Sequence, residues 1–567
     1  MRRPSVGHVV DIIARSEDLK PFGRIWGSGG WLMPEYREAL DWATLVRLLG
    51  WSVGVSLDCN GGSSALVVLA ADPDWACAEL VEDLGARIER GAVLVARAAS
   101  NGQPLAKLAG AFASAGASKC DAFFWRGPGR AESWRSGERV YYRKLVAAAD
   151  AEVWAEAEGE PLILARRMGR GVLVTLAFHP SEARDADGTL TALLRTLLVR
   201  ARGVPVAWLD FEATLVLRMD DPGGAQNVHS ESWLYPKMGL QCWREIRREL
   251  ESRNARLSVG YVAGWVDDGE PSRGELFVDG SFAERIPGAV HPSPLVVYQS
   301  YDGMRHDYRE EYAGIDELRA AGCGEVELHG FTHMQPNRDA WLAAPDRYSS
   351  NRWYRELGVV VPHEKPLERG LEAFDRWFHT RPAVLICPGD EWVNETLEHA
   401  LDLGFELVSS YYLGIEDSGR LLWATHVCAP YLNQAEPSWF ASGLPVVGYF
   451  HDRELALDGV SWMTENLDRW SAAGARRFLD LRELAGLLSL RIRAEDHSIS
   501  IEQTRPDAFF RGCPLRVYAP GESSLSVKFA GTNKTISIDA HGHGVVVLPG
   551  AEGRVQFSTP QVGQQFS

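Results

Sequence analysis

The chain has 567 residues, 46% apolar and 24% charged, an ordinary globular composition with length enough for three or four separate cores. A net charge of -17 argues against nucleic acid, whose phosphates need a basic face, and it disfavours an anionic membrane surface. The eight cysteines are scattered with no C-x-x-C, and no run has the apolar length of a signal peptide or a bilayer span, so the expected setting is the reducing cytoplasm.

Residues 1–205 alternate strand and helix signals, the pattern of an open α/β sheet. ALVVLAA (65–71) and AVLVARAA (92–99) are expected strands, with a helix over 75–90 between them. PLILARRMGRGVLVTLAF (161–178) reads as a hairpin that turns at Met168-Gly169-Arg170-Gly171, and a helix is expected over 188–202. This hairpin and the ERGAVLVARA unit resemble class I glutamine-amidotransferase-like domains. The resemblance implies a cysteine nucleophile on a sharp elbow, and the two candidates, Cys59 and Cys77, are poorly placed for one. Cys59 precedes its strand, and Cys77 sits in a helix pattern. The domain is expected to be non-catalytic, a structural, ligand-docking or homo-oligomerisation module.

Residues 206–492 repeat a strand-then-helix rhythm. The strand candidates are 214–219, 256–262, 294–299, 325–330, 383–389, 406–410 and 445–452, and seven such units favour a distorted, incomplete (β/α) barrel. In that architecture the chemistry collects at the C-terminal strand ends, where Asp220, Asp221, His329, Gly389 and His451 fall. The tail, 493–567, alternates apolar and polar residues between Gly, Asn and Pro turns and reads as a small β-sandwich.

Asp220–Asp221 closes the run TLVLRM and is followed at once by Pro222-Gly223-Gly224, while His329-Gly-Phe-Thr-His333 closes the run EVEL. Two imidazoles and a carboxylate suffice to hold Zn²⁺ with one position left open, and the second aspartate is then placed to accept a proton. A third strand exit brings His451, the side-chain type best tuned to protonate a leaving nitrogen near neutral pH.

This order, Asp-Asp, then His-x-x-x-His with Thr332 before the second His, then a proline-containing strand end, then a strand ending His-Asp, resembles the polysaccharide deacetylase (NodB-homology) superfamily, which includes the carbohydrate esterase family 4 deacetylases. The resemblance covers about half the chain, residues 206–492. It implies Zn²⁺ or another divalent ion on Asp221, His329 and His333, Asp220 as general base, His451 as general acid, and hydrolysis of an N-acyl amide on an amino sugar. Substrate contacts are expected from Gly389, Asp390, Trp392 and Trp233. A backbone donor near Gly389 would meet the oxyanion, and Trp233, Tyr235, Trp341 and Trp392 could stack on a sugar or fill the core. Asp390 and Glu391 could equally be site acids or capping residues.

One departure stands out. The family's third motif carries an arginine ahead of its proline, and here the string is Leu385-Ile386-Cys387-Pro388. Arg218 shares a strand face with Asp220 and is the possible substitute; whether its head reaches that carboxylate is open. The long gap between Asp221 and His329 holds extra material, such as 266–280, expected to shape the cleft. Another metal-dependent amidohydrolase, or a carbohydrate-binding protein on a disabled barrel, remain as alternatives.

Overall fold

The computed structural model describes residues 9–15, 25–27, 30–32, 38–56, 64–184, 188–335, 339, 353–354, 356–357, 365–390, 392, 394–410, 413–417, 420–423, 429–495 and 498–551. Cys59, Trp341 and Glu391 lie outside them. The fold is α/β.

In the N-terminal part, short apolar strands pair in parallel in the order Val53–Ser56, Val10–Ile13, Leu66–Leu69, Val93–Arg97, Gly171–Leu176. Strands apolar on both faces are what a sheet with helices on each side requires. The expected hairpin forms between Glu160–Met168 and Gly171–Leu176. The expected helices form over Ala78–Glu89 and Thr189–Arg200. Cys77 is the exposed N-cap of the first.

The central sheet carries the candidate site. Its parallel strands are β1 (Thr214–Asp220), β2 (Leu257–Tyr261), β3 (Gly324–Leu328), β4 (Val384–Ile386), β5 (Leu407–Ser409), β6 (Val446–His451) and β7 (Arg477–Leu479). The ladder runs β6-β1-β2-β3-β4-β5, continues into two antiparallel strands, Leu413–Asp417 and Arg420–Trp423, and does not close on itself among the described residues; β7 pairs with the first half of β1. Every residue of β1 is buried, as expected of a strand with neighbours on both edges and cover on both faces.

One expected barrel strand belongs elsewhere. Of residues 294–299, the first two lie in a 3-10 turn and 296–299 in the strand Val296–Ser300, part of an antiparallel four-stranded sheet of the insertion between β2 and β3, and the seventh parallel strand is β7. An apolar run reads the same in either setting, because long-range pairing decides its partner. The insertion packs in a second small core, where Trp265, Leu276, Val296 and Tyr298 meet Ala225, Val228 and Met334 from outside it.

The tail forms two small sheets. One joins Leu490–Glu495, Ser498–Gln503, Ser524–Phe529 and Thr532–Ser537; the other joins Cys513–Tyr518 and His543–Leu548 to Val206–Leu209, a strand from just ahead of the central sheet. Among the described residues no helix is long and apolar enough to cross a membrane.

Candidate metal centre

β1 and β6 are neighbours in parallel register, so Asp220 stands beside His451 at the same sheet end. The chain then reverses. Asp221 adopts a left-handed φ of 84°, and Gly223 follows with a φ of 85° where a Cβ would meet the Val262 carbonyl at 2.1 Å. Only glycine fits that contact. The Asp221 carboxylate is thereby turned toward the end of β3.

There, His329 Nε2 and His333 Nε2 each lie 3.3 Å from the same oxygen, Asp221 Oδ1. All three side chains are buried, and their donor atoms lie within 4.8 Å of one another. The ring of His329 is oriented by its Nδ1–H, which donates to the Ile386 carbonyl at 3.1 Å and aims Nε2 at Asp221. Burial works to lower its pKa, but the Asp220 and Asp221 carboxylates outweigh burial and raise it. Burial holds the His333 pKa down to about 4, so its ring is neutral, the form a ligand needs. Burial alone would push the Asp221 carboxyl up, but the His329 hydrogen bond and the neighbouring imidazoles hold it well below the usual carboxylate range. Two neutral-capable imidazole nitrogens and one ionised carboxylate converging on a point fit a divalent ion such as Zn²⁺.

The loop carrying the two histidines is clamped by Glu356. Its carboxylate accepts from Phe331 N at 3.0 Å, Thr332 N at 2.9 Å, Thr332 Oγ1 at 2.9 Å and His333 N at 2.9 Å. Gly330 leaves room for it, since a Cβ there would lie 2.2 Å from Glu356 Oε2. The other Asp221 oxygen, Oδ2, accepts from Trp233 Nε1 at 3.1 Å, which fixes the carboxylate's orientation.

Asp220 is held by Arg218. The guanidinium donates through Nε to Asp220 Oδ1 at 2.8 Å and through Nη2 to Asp220 Oδ2, and Nη1 is anchored on the Ser410 carbonyl at 3.0 Å. This bidentate fork answers the question the strand pattern left open. Burial works to raise the Asp220 pKa, yet the Arg218 charge outweighs it and keeps the carboxylate ionised. A glycine in mid-strand, Gly260 of β2, makes the space: a Cβ there would sit 3.3 Å from Asp220 Oδ1.

His451 is the N-cap of α1 (Asp452–Asp458), and its own N–H donates to Glu454 Oε2 at 2.7 Å. Its Nδ1 lies 3.0 Å from the Tyr431 hydroxyl and 3.6 Å from Glu454 Oε2, so Nε2 is the nitrogen left to meet a substrate. Burial depresses the imidazole, but the Glu454 hydrogen bond and the Asp221 charge outweigh it and raise its pKa to about 9. Trp233 packs edge-on against this ring, centroids 5.1 Å apart, which joins His451 to the Asp221 side of the cluster.

Three expected substrate contacts sit otherwise than the sequence suggests. Trp392 is 1% exposed within the main hydrophobic core, where packing takes both ring faces and leaves none for a sugar. Asp390 is buried and accepts from Arg218 Nη2 at 3.4 Å, so its carboxylate serves the arginine. Gly389, with a φ of 58°, is packed against Tyr354, 2.3 Å from where a Cβ would stand. Trp233 is half-buried beside Asp221 and His451.

Sequence reasoning missed Glu356, Tyr431, Glu454 and Lys237. Glu454 carried a readable signal, the N-cap-to-N3 spacing of a capping box from His451. Lys237 carried none, yet it is wholly buried, bridging Glu311 Oε1 at 3.0 Å and Asp452 Oδ2 at 2.6 Å. Glu311 Oε2 in turn accepts from Gly223 N at 2.7 Å. The salt bridge thus lies directly beneath both the aspartate turn and His451.

No family model matches the chain, and no curated protein matches it. Among solved structures it is similar to an exo-beta-1,4-mannosidase from an Opitutaceae bacterium at 13% identity, covering 31% of this chain and 32% of that one, with a TM-score of 0.22. A beta-galactosidase from a Rahnella species matches at 18% identity over 35% of this chain and 32% of that one, TM-score 0.24. A cytoplasmic protein from Salmonella typhimurium LT2 matches at 11% identity over 30% of this chain and 86% of that one, TM-score 0.22. The chain spans about a third of the length of the two glycosidases.

Proposed function

We propose that this chain is a divalent-metal-dependent amide hydrolase of the polysaccharide-deacetylase type, removing an N-acyl group, N-acetyl in the simplest case, from an amino sugar. The observation that carries this reading is the convergence of His329 Nε2 and His333 Nε2 on Asp221 Oδ1, beside an aspartate pinned by its own arginine. The central sheet is then a distorted (β/α) barrel, the N-terminal part an amidotransferase-like module for docking or self-association, and the setting the cytoplasm.

An ion on Asp221, His329 and His333 supplies Lewis acidity to the amide carbonyl and lowers the pKa of water. The remaining work falls to the chain. Asp220, kept ionised by Arg218, accepts the proton of the attacking water. His451 delivers a proton from Nε2 to the departing nitrogen, with Tyr431 and Glu454 stabilising its charged form. Trp233 and Glu356 hold the ligand carboxylate and the ligand loop, so that little reorganisation is left for the reaction.

Arg218 supplies to Asp220 the guanidinium that the third motif lacks, and this favours the enzyme over a non-catalytic binding protein. Metal analysis together with acetate release from matched N-acetyl amino sugar and N-acyl peptide substrates tests the reading. The parent should bind one divalent ion and release acetate from the sugar. Full metal content in Asp221→Ala and His329→Ala overturns the ligand set, and turnover of the peptide alone favours a different amidohydrolase.

A further inference from the structure

Arg453 is the second residue of α1, two positions after His451. Its guanidinium lies over the face of Trp233, Cζ 5.6 Å from the ring centroid. That same indole donates to Asp221 from its edge and packs perpendicular to His451, so one side chain links the cation to the candidate catalytic groups.

The arginine is poorly paired for such a position. Its one acidic neighbour among the described residues is Glu454, with Nη1 to Oε1 at 3.8 Å. That carboxylate is already engaged by the His451 backbone N–H and by Tyr431. Nε of Arg453 is buried with no hydrogen-bond partner, while 38% of the side chain stays open to solvent. By contrast the buried side chains of Arg218 and Arg285 are each paired with two aspartates, and that of Arg256 with Asp480 and Glu325. A guanidinium that rests on an aromatic face and stays 38% exposed matches a planar carboxylate, which it can engage through parallel N–H···O bonds.

We propose that Arg453 reads a carboxylate on the substrate, so that the preferred substrate is an acidic N-acyl amino sugar whose carboxylate lies within about one ring of the scissile amide. This rests on the deacetylase reading, and the test separates the two. Binding to the metal-loaded chain is measured by calorimetry for three N-acetyl amino sugars alike except at one exocyclic carbon, bearing a hydroxymethyl, a carboxylate or a phosphate ester. Acetate release is followed on the same three compounds.

The carboxylate form should bind about 10–100-fold tighter than the neutral form, as a charge-assisted bidentate pair provides. Arg453→Gln should cut that preference to within about threefold, and Arg453→Lys, which keeps the charge without the fork, should restore part of it. Where turnover occurs, the loss should fall on KM for the acidic sugar. An acid preference unchanged in Arg453→Gln, or no acid preference in the parent, overturns the proposal, and a preference for the phosphate overturns the carboxylate assignment. An Arg453-dependent acid preference without acetate release supports the anion site and refutes the deacetylase.

Discussion

Replacing Arg218 by methionine isolates the contact on which the candidate base depends. The side chain is wholly buried, and its loss strips Asp220 of both guanidinium bonds and frees Asp390 and the Ser410 carbonyl. A buried carboxylate left without its partner costs about 3–5 kcal/mol, whereas removing both charges is far less damaging. Arg218→Met should therefore lose about 3–5 kcal/mol in urea unfolding, and Arg218→Met/Asp220→Asn should recover part of that, with a coupling of about 1–3 kcal/mol. Activity carries the same signature. Arg218 holds the Asp220 pKa down against burial, and the ionised form is the active one. Without the arginine the pKa rises, so the acidic limb of the pH–rate profile moves to higher pH. A variant as stable as the parent, with its acidic limb unmoved, would show that the fork does not hold the base.

Trp233→Phe keeps the ring against His451 but deletes the bond to Asp221 Oδ2; metal affinity measured with a competing chelator should fall about 10–100-fold. Trp392→Ala opens a hole in the core and should cost about 3–5 kcal/mol in denaturant unfolding, and a loss confined to substrate binding would contradict its buried placement. Glu327, buried in β3 and accepting from Val384 N at 2.8 Å, has its pKa pushed up by burial to about 8. Because the folded state then binds the proton more tightly than the unfolded chain, stability should decline as pH rises from about 4.5 to about 8 and level off above. Glu327→Gln should abolish that decline, gaining on the order of a few kcal/mol over the parent near pH 9 and nothing near pH 4, and equal melting profiles at both ends would refute it.

How much of this was legible in the sequence depended on distance along the chain. The aspartate turn and the histidine pair announced themselves because each closes an apolar strand, and a strand end in an α/β sheet faces a common side. Arg218 was placed on the right face by alternation alone, but only the packing of β4 and β5 brings Asp390 and Ser410 up to fix its head. Trp392 stayed open between cleft and core because an aromatic residue near a strand end reads alike in either place, and its burial decides for the core. Glu356 and Lys237 act through partners remote in sequence, and a lone buried charge leaves no periodic trace.

The buried bridge from Lys237 to Glu311 and Asp452 has a consequence for how the insertion can change. Glu311 lies on α2 (Tyr308–Ala320), the helix through which the chain re-enters the central sheet after the insertion, and Lys237 ties that re-entry point to the residue after His451. The segment from Val266 to Asp307 is bracketed by that seam, but its core reaches across it: Leu276, Val296 and Tyr298 pack with Ala225 and Val228 after the aspartate turn and with Met334 after His333. Changes to its buried residues should therefore be felt at the aspartate turn and the histidine loop, through Ser293 Oγ on the Gly223 carbonyl, His229 on the Val266 carbonyl and the packing of Met334.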